Sequence, residues 1–305
     1  MSVAAPAIGR RDALDVVAVA TMVGLTFAWG LNGVAAKIST AGFNPVFISV
    51  ARSAIGAALV FLWCRYRGIP LFERDGTLWP GLLAGFLFGA EFVLIFSGLQ
   101  YTTVARSALM VNTMPFWVLL GAHFLLGERM TLVKLGGLVL AFSGVVLVFS
   151  DKLSLPGPSA LAGDLMSIAA GILWAATTLV IRSTKLTNAS AEKLLMYQLV
   201  VSMVMALPLM PMAGPTIRDL TILATGALLF QGIVIVAFTY LLWFWLVRHY
   251  PAAGLSSFAF LTPAFGVLLG GVLLDEPLSG RIFAALGFIA VGLVIVNRPA
   301  ARKGD

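Results

Sequence analysis

The chain has 305 residues, of which 60% are hydrophobic and only 11% are charged, and its mean hydropathy is +1.00. A soluble domain carries about 25% charged residues, so this composition excludes a soluble globular protein. The formal net charge of +7 raises nucleic acid as a partner. That partner is excluded because the basic residues lie near predicted helix ends and not in one stripe.

Apolar runs of about 20 residues, the length of a helix that crosses a ~30 Å hydrocarbon layer, recur along the whole chain. The sequence therefore predicts an all-α integral membrane protein that contacts the lipid bilayer throughout. Ten transmembrane helices are predicted at 16–37, 45–66, 78–99, 103–126, 132–150, 162–182, 191–212, 220–246, 252–274 and 279–297. They form two five-helix units at 16–150 and 162–297, with tails at 1–15 and 298–305.

Positive charge is divided unequally between the two sides of this arrangement. Fourteen of the 20 lysines and arginines fall on the side of the N-terminus, five fall on the other side, and Arg52 lies inside a helix. Short cytoplasmic loops carry such an excess of positive charge. We therefore expect a multi-pass protein of the cell inner (plasma) membrane with both termini in the cytoplasm.

The chain also contains an internal repeat. Residues 99–149 align without a gap on 247–297 at a constant offset of 148, and upstream residues align at an offset of 145. The matched residues are Pro115 with Pro263, Leu126-Gly127-Glu128 with Leu274-Asp275-Glu276, Gly144 with Gly292, Trp29 with Trp174, and Lys37 with Arg182. Because each unit crosses the membrane an odd number of times, the second unit must be inverted. Inverted repeats build alternating access in many secondary transporters, with the substrate site between the repeats near the midplane.

Short motifs accompany the repeat in both units. They are Trp29-Gly30, Glu91-Phe92, Gly98-Leu99-Gln100-Tyr101-Thr102-Thr103, Ala105-Arg106-Ser107-Ala108, Pro115-Phe116, Leu126-Gly127-Glu128-Arg129, Thr262-Pro263 and Asp275-Glu276. These motifs resemble the EamA-type branch of the drug/metabolite transporter superfamily over residues 16–297. The resemblance implies ten helices, cytoplasmic termini and a central cavity lined by both halves. It does not fix the substrate, because the family exports amino acids, metabolites and toxic cations on one scaffold.

Glu91 is the one acidic residue, among thirteen, that lies well inside a predicted helix, and Arg52 lies at a similar depth on the adjacent helix. A charge at a helix centre costs about 2.5–3.5 kcal/mol, so each should face a cavity or a partner. In one interpretation Glu91 is a desolvated carboxyl group that carries a proton or binds a substrate ammonium group. In the other, Arg52 forms an ion pair with it. The aligned residues of the second half, Tyr197 and Thr239, are both neutral, which slightly favours the pair.

Further residues are expected at the cavity. Trp29 and Trp174 are too deep for the interfacial aromatic belt, so each is either a cavity wall with an N–H donor or a core residue. Polar residues within helices are either interhelical hydrogen-bond partners or substrate contacts. The complete predicted cavity set is Trp29, Asn32, Glu91, Asn112, Trp174, Thr178 and Thr239.

Two prolines lie in the middles of the fourth and ninth predicted helices. Pro115 and Pro263 lack an N–H donor and clash with the carbonyl groups four residues earlier, at Val111 and Ala259. Kinks at equivalent places in both halves suit a cavity-lining helix that rocks. A static kink filled by neighbouring side chains is the alternative.

Other features have structural interpretations. Glu128 and Glu276 are predicted to begin helices, where an acid interacts favourably with the helix dipole. No metal or other cofactor is predicted, because His123 and His249 have no His or Cys at ligand spacing. Glycines at four-residue spacing favour close helix packing and are equally compatible with a homodimer. They are Gly81, Gly85 and Gly89 on the third helix and Gly266 and Gly270 on the ninth.

The leading functional hypothesis is a secondary transporter that exports small organic solutes, amino acids or related metabolites first, by alternating access. Coupling to protons and facilitated diffusion are both compatible with the sequence, and an exporter of toxic organic cations is the alternative. A pump driven by ATP would need G-x-x-x-x-G-K-[ST], and an intramembrane metalloprotease would need H-E-x-x-H. Both motifs are missing, so an ATP-driven pump and an intramembrane enzyme are disfavoured. A scaffold or receptor would have no use for a polar cluster at the midplane.

Overall fold

The computed structural model describes residues 11–99, 101–153, 157–274 and 280–298. Within them the chain is helical apart from loops and one β-bridge, between Phe43 and Ile217. The α-helices are α1 (Val16–Gly42), α2 (Pro45–Arg67), α3 (Leu78–Gly98), α4 (Val104–Val111), α5 (Met114–Leu126), α6 (Leu132–Phe149), α7 (Ala160–Ser183), α8 (Ala191–Ala206), α9 (Ile222–Phe230), α10 (Tyr240–His249), α11 (Ala252–Ser257), α12 (Leu261–Leu274) and α13 (Arg281–Val296).

Nine segments of the described chain are long and apolar enough to cross a membrane, and α13 is a shorter apolar helix of 16 residues. The predicted all-α membrane fold is confirmed. The α4–α5, α9–α10 and α11–α12 segments each form one span. The first helix is longer than predicted because it continues through Lys37 to Gly42. The predicted turn at Asp275-Glu276-Pro277 and the start of the tenth predicted helix lie outside the described residues.

Side-chain caps explain where six of the thirteen described α-helices begin. Asp15 accepts a hydrogen bond from the N–H of Ala18 at 2.8 Å and Asn44 from that of Phe47 at 2.7 Å. Such caps satisfy N–H groups that have no partner within the helix. The other caps of this kind are Thr103 at α4, Thr131 at α6, Ser190 at α8 and Thr221 at α9. Gly68 and Gly127 end α2 and α5 with φ values of 66° and 70°, in the region that favours glycine.

Two spans are interrupted just before a proline. The α4 helix ends at Val111 and α5 begins at Met114, so Pro115 lies in the first turn of α5. In the second half a short 3₁₀ segment, Phe258–Phe260, separates α11 from α12, and Pro263 lies in the first turn of α12. Continuous kinked helices were the prediction, and the structure replaces each kink with a break. The physical cause is the predicted one, because proline lacks an N–H and its ring displaces the preceding turn.

A third span changes its winding without a proline. Between α9 and α10 the segment Gln231–Thr239 is a π-helix, where hydrogen bonds close wider turns. The predicted helix over 220–246 is therefore irregular at its centre. Uniform hydropathy along this segment gives no sign of the change.

The spaced glycines are used for packing within the chain. A Cβ atom on Gly81 would lie 2.4 Å from Cδ2 of Tyr197, and one on Gly89 would lie 2.6 Å from Sδ of Met205. The glycine face of α3 therefore packs directly on α8. On α12, Gly266 lies against the backbone of Gly30 in α1. These glycines pack within the chain, and a homodimer stays a prediction.

Contacts between helix ends form two groups at opposite ends of the bundle. At the end that holds Asp15, called the proximal side, the Tyr250 hydroxyl donates to the Asp15 carboxylate at 3.0 Å. At the other end, the distal side, Arg281 pairs with Asp151. Further contacts on the proximal side join Arg11 to His249, Lys193 to Asp75 and Arg248 to Thr187. Further contacts on the distal side join Gly42 to Arg218 and Arg106 to Leu153. Successive spans run from one group to the other.

Candidate functional site

A cavity of about 250 Å³ lies among the spans and is lined by both halves of the sequence. Six of the seven residues predicted to line it do so, and Thr239 does not. From the first half come Trp29, Asn32, Phe88, Glu91, Phe92, Ile95, Val111 and Asn112. From the second half come Trp174, Thr177, Thr178, Ile181, Gln198, Tyr240, Trp243, Phe244, Ala259 and Thr262.

Glu91 projects from the middle of α3 and is 6% exposed. Its Oε2 atom is buried and has no hydrogen-bond partner. Among the residues that the structure describes, the lining of the cavity contains no lysine, arginine or histidine and no second acid. Glu91 is therefore the one charged side chain in the described part of the cavity wall.

The ion pair between Arg52 and Glu91, one of the two interpretations of the sequence, is not formed in the structure. The guanidinium of Arg52 donates to the hydroxyl of Tyr240 at 3.4 Å and lies 5.2 Å from the ring centre of Phe92. Both aromatic residues line the cavity, whereas Arg52 lies outside it in a smaller pocket. A cation over an aromatic face is stabilised by the ring quadrupole. Arg52 therefore lies behind the cavity wall, where it contacts Phe92 and Tyr240 and not Glu91.

Polar atoms without partners are concentrated at this cavity. In the described part of the chain, four buried side-chain oxygen atoms have no hydrogen-bond partner, and all four belong to residues that line it. Each such buried group costs about 1–3 kcal/mol when left unpaired. The four atoms are Asn32 Oδ1, Glu91 Oε2, Gln198 Oε1 and Thr262 Oγ1. Unpaired polar groups that converge on one cavity are typical of a site for a polar ligand.

Aromatic rings form much of the remaining wall. The Trp29 ring packs edge-to-face on Trp243 at 5.7 Å and on Tyr240 at 6.4 Å. Its N–H is not free for a ligand, because it donates to Oγ1 of Thr239 at 3.0 Å. Thr239 therefore orients a wall residue from outside the cavity, which corrects its predicted place in the lining.

Two predicted polar residues bond within their own helices. The side-chain amide of Asn112 donates to the carbonyl of Ala108 at 2.8 Å, and the hydroxyl of Thr178 donates to that of Trp174 at 3.3 Å. These bonds are not the interhelical ones that were one of the two predictions, while both residues line the cavity, so contact with a ligand stays a prediction. Asn112 follows the last residue of α4, so its amide helps to end that helix at the break.

The broken spans shape the cavity at equivalent places. Pro115 and Pro263 do not line it, but Val111 and Ala259, each four residues earlier, both do. The two breaks thus bring irregular backbone to the cavity wall. Irregular backbone inside a membrane is tolerated where it is buried in protein or lines a cavity.

Contacts close the bundle on the proximal side. The carboxylate of Glu128 accepts hydrogen bonds from the N–H groups of Ala252 at 2.9 Å and Ala253 at 3.2 Å, at the start of α11. Arg182, at the end of α7, lies 3.4 Å from the same carboxylate and donates to the Val247 carbonyl at 3.1 Å. We call this group of residues the proximal clamp.

Glu128 was predicted to begin its own helix, and that prediction is wrong. Thr131 caps α6 by accepting a hydrogen bond from the N–H of Lys134 at 3.2 Å. Glu128 instead accepts hydrogen bonds from the first turn of α11, in the other half. An acid is attracted to the start of a helix, as expected, but that helix is α11 and not α6. Glu276 lies outside the described residues.

Several lining residues were not predicted. Gln198 is a polar residue within a span, next to the aligned counterpart of Arg52, and Thr262 precedes Pro263, which the repeat matches with Pro115. Both could have been selected from that placement. Tyr240, Trp243, Phe88 and Phe92 carry no such signal, because hydropathy does not tell which aromatic side chains face the interior.

An all-helical bundle with many apolar spans and a polar cavity between its halves is typical of a multi-pass membrane transporter. Residues 16–150 and 161–298 each match the EamA-like transporter family. The chain belongs to this family, which is part of the drug/metabolite transporter superfamily.

Relatives are similar over nearly their whole length. "Uncharacterized transporter YoaV" of Bacillus subtilis (strain 168) is 26% identical over 287 residues, covering 92% of this chain and 97% of the relative. A "Probable amino-acid metabolite efflux pump" of Escherichia coli (strain K12) is 26% identical over 283 residues, covering 88% and 90%. A solved crystal structure superposes with a TM-score of 0.80 at 20% identity, covering 92% of this chain and 98% of that one. That likeness supports the fold alone.

Proposed function

We propose that this transporter exports small organic solutes, amino acids or related metabolites first, across the inner (plasma) membrane by alternating access. The observation that carries the proposal is the cavity between the halves, with its four unpaired buried oxygen atoms. The cavity has a volume of about 250 Å³. Sites for drug-sized ligands typically have volumes of about 300–1,000 Å³, so the smaller volume here favours a small solute. The efflux named for the Escherichia coli relative agrees with export.

Inverted halves with ten spans belong to this proposal. The segment that follows α5 leads to Glu128 on the proximal side, whereas the segment that follows α12 leads to Arg281 on the distal side. Likewise α7 ends at the proximal clamp, while α1 ends at the distal contact between Gly42 and Arg218. Aligned parts of the repeat therefore lie on opposite sides, which supports opposite orientations. The excess of positive charge in proximal loops supports a cytoplasmic proximal side.

Closure on one side supports alternating access. The proximal clamp joins the ends of α5 and α7 to the start of α11. On the distal side, the described contacts attach α4 to α7, through Ser107 and Ser167 and through Arg106 and Asp164. We infer a state closed towards the cytoplasm, with the breaks at Pro115 and Pro263 as hinges.

An exporter of toxic organic cations is the second candidate. It is favoured by the one acid and the absence of basic residues among the described residues that line the cavity. In either case the energy source is proton exchange or the solute gradient itself. We propose no catalytic reaction for this chain.

Counterflow in liposomes tests the proposal. Purified protein is reconstituted into liposomes that are loaded with unlabelled amino acids, polyamines or quaternary ammonium compounds. Uptake of the labelled form of the same solute is then measured with and without a pH gradient. We expect counterflow for at least one class and its loss in Glu91→Gln. Asp219→Asn is the matched control, because Asp219 is an exposed acid outside the cavity. Absence of counterflow for every class would overturn the proposal, and an unchanged pH profile in an active Glu91→Gln variant would exclude Glu91 as the proton carrier.

A further inference from the structure

The unpaired atoms of the cavity share one chemical character. The carboxylate of Glu91 and the side-chain oxygens of Asn32 and Gln198 can only accept hydrogen bonds, and the hydroxyl of Thr262 can accept one as well. A ligand that satisfies them must therefore supply several donors. In its ionised form Glu91 in addition calls for a positive charge, since a buried carboxylate is costly without one.

The protein does not supply that charge from the cavity wall. None of the described lining residues is basic, and Arg52 contacts Phe92 and Tyr240 from outside the cavity. A ligand carboxylate would meet no countercharge here, whereas a ligand cation would meet Glu91. The charge distribution of the cavity wall thus favours binding of a positively charged group of the substrate.

The aromatic side chains can bind either a primary or a quaternary ammonium group, whereas the unpaired oxygen atoms favour the primary one. Rings such as Trp29, Trp174 and Tyr240 attract any ammonium group, including a quaternary one, through their faces. Only N–H donors can satisfy the unpaired oxygens, and a primary ammonium group carries three of them. A quaternary group would enter the cavity and leave every acceptor unpaired.

We propose that the cavity binds its substrate through a primary ammonium group, with Glu91, Asn32 and Gln198 as the acceptors. This proposal rests on the proposed transport function and narrows it to amines and amino compounds that carry such a group. The cavity volume of about 250 Å³ suits a small amine with a compact apolar remainder against the aromatic wall.

Binding to the purified, full-length protein tests the proposal, with tryptophan fluorescence as the readout because Trp29, Trp174 and Trp243 line the cavity. The ligands are phenethylamine, butylamine, the N-trimethyl analogue of each, and phenylpropionate, which has no amine. We expect the primary amines to bind at least about tenfold more tightly than their trimethyl analogues, the effect of losing hydrogen bonds to a charged group. Phenylpropionate should not bind.

Variants assign the acceptors. Glu91→Gln and Gln198→Met should each weaken amine binding at least about tenfold. Gln231→Met is the matched control, because Gln231 and Gln198 are both 1% exposed and Gln231 donates to Ser39 outside the main cavity. Its affinity for amines should not change. Should a variant fail to fold, the ligand series on the unmodified protein decides the matter.

The outcomes separate this proposal from the transport function. Equal binding of a primary amine and its trimethyl analogue, binding of phenylpropionate, or failure of both amines to bind overturns the ammonium site. Counterflow of other solutes would then leave the transport function standing. Selective amine binding without counterflow of any solute would support the ammonium site and overturn the transport function.

Discussion

Two buried ion pairs hold the two ends of α7, and they differ in what else they connect. At the distal end Arg106 pairs with Asp164, with side chains 13% and 5% exposed. At the proximal end Glu128 pairs with Arg182, with side chains 12% and 8% exposed. Burial and chemistry are thus nearly matched, and each pair joins α7 to the α4–α5 span or the loop that follows it.

The remaining bonds of each pair show the difference. Glu128 also accepts two N–H groups of α11, so the proximal pair ties a third element to α7. Arg106 instead donates to the carbonyl of Leu153 at 2.7 Å, just after α6 in its own half. Both pairs join the first half of the chain to the second, but of the two the proximal pair alone also holds the start of α11. We therefore expect the proximal pair to affect access to the cavity and the distal pair to affect stability alone.

The largest expected effect is that of Glu128→Ala. It removes one partner of a buried pair, which costs about 3–5 kcal/mol, and frees the start of α11. The test uses Met114→Cys in a Cys64→Ser background, because Met114 is 0% exposed and packs in one cluster with Ala252. We expect a membrane-impermeant maleimide on the proximal side to label this cysteine at least about tenfold faster after Glu128→Ala.

The control for that experiment is Asp151→Ala, which removes an exposed ion pair with Arg281 and should leave labelling unchanged. If Glu128→Ala also leaves the labelling rate unchanged, the proximal clamp does not close the cavity. The contrast between the two ends of α7 would then lose its functional meaning.

The second effect is that of Asp164→Asn at the distal pair. The amide cannot accept both guanidinium bonds and the hydrogen bond that Thr102 donates at 2.7 Å, so stability should fall by about 2–3 kcal/mol. The melting temperature of the purified protein measures this loss. Labelling of Met114→Cys from the proximal side should stay as slow as before. Faster labelling would show that the distal pair also controls proximal access and that the two ends are equivalent.

The sequence predicts the spans well because their physical cause is local. Each apolar run is long enough to cross the membrane, and Asp15, Asn44 and Thr131 mark helix starts. Glu91 also stands out from the sequence, since an acid in a span requires a cavity or a partner.

The predictions fail where the partner is distant in sequence. Glu128 bonds residues more than a hundred positions away, in an α11 helix whose placement depends on the whole bundle. Arg52 lies at the predicted depth, yet its direction around α2 takes it to Phe92 and Tyr240 instead of Glu91. Depth follows from counting residues along a helix, whereas direction depends on the packing of its neighbours.

The third effect tests close packing beside the distal pair. A Cβ atom on Gly163 would lie 2.6 Å from the carbonyl oxygen of Gly98 and 2.8 Å from Cβ of Thr102. Gly163→Ala should therefore separate α3 from α7 at a cost of about 1–3 kcal/mol, seen as a lower melting temperature. Gly24→Ala is the control, because nothing lies within 4 Å of that position and alanine favours helix. Equal melting temperatures for the two variants would contradict tight packing at the distal end.

The smallest effect concerns Asp75, in the proximal loop between α2 and α3. Burial opposes ionisation of its carboxyl group, but hydrogen bonds from Lys193 and Thr77 outweigh it and lower the pKa of Asp75 from 3.8 to about 2. A lowered pKa stabilises the folded state above the unfolded value, and this contribution is lost as the pH falls from about 4 to about 2.

Because the Asp75 side chain is 33% exposed, solvent screening should reduce its contribution to less than about 1 kcal/mol. Melting curves of the wild type and Asp75→Asn, taken from neutral pH down to about 2, measure it. We expect the two curves to differ at neutral pH and to converge in acid, because the protonated carboxyl group no longer attracts Lys193. The Asp75 pair holds a loop and has no bond to α11, so counterflow at neutral pH should be preserved. A transport defect as large as that of Glu128→Ala would mean that any proximal ion pair affects the gate, whatever its third partner.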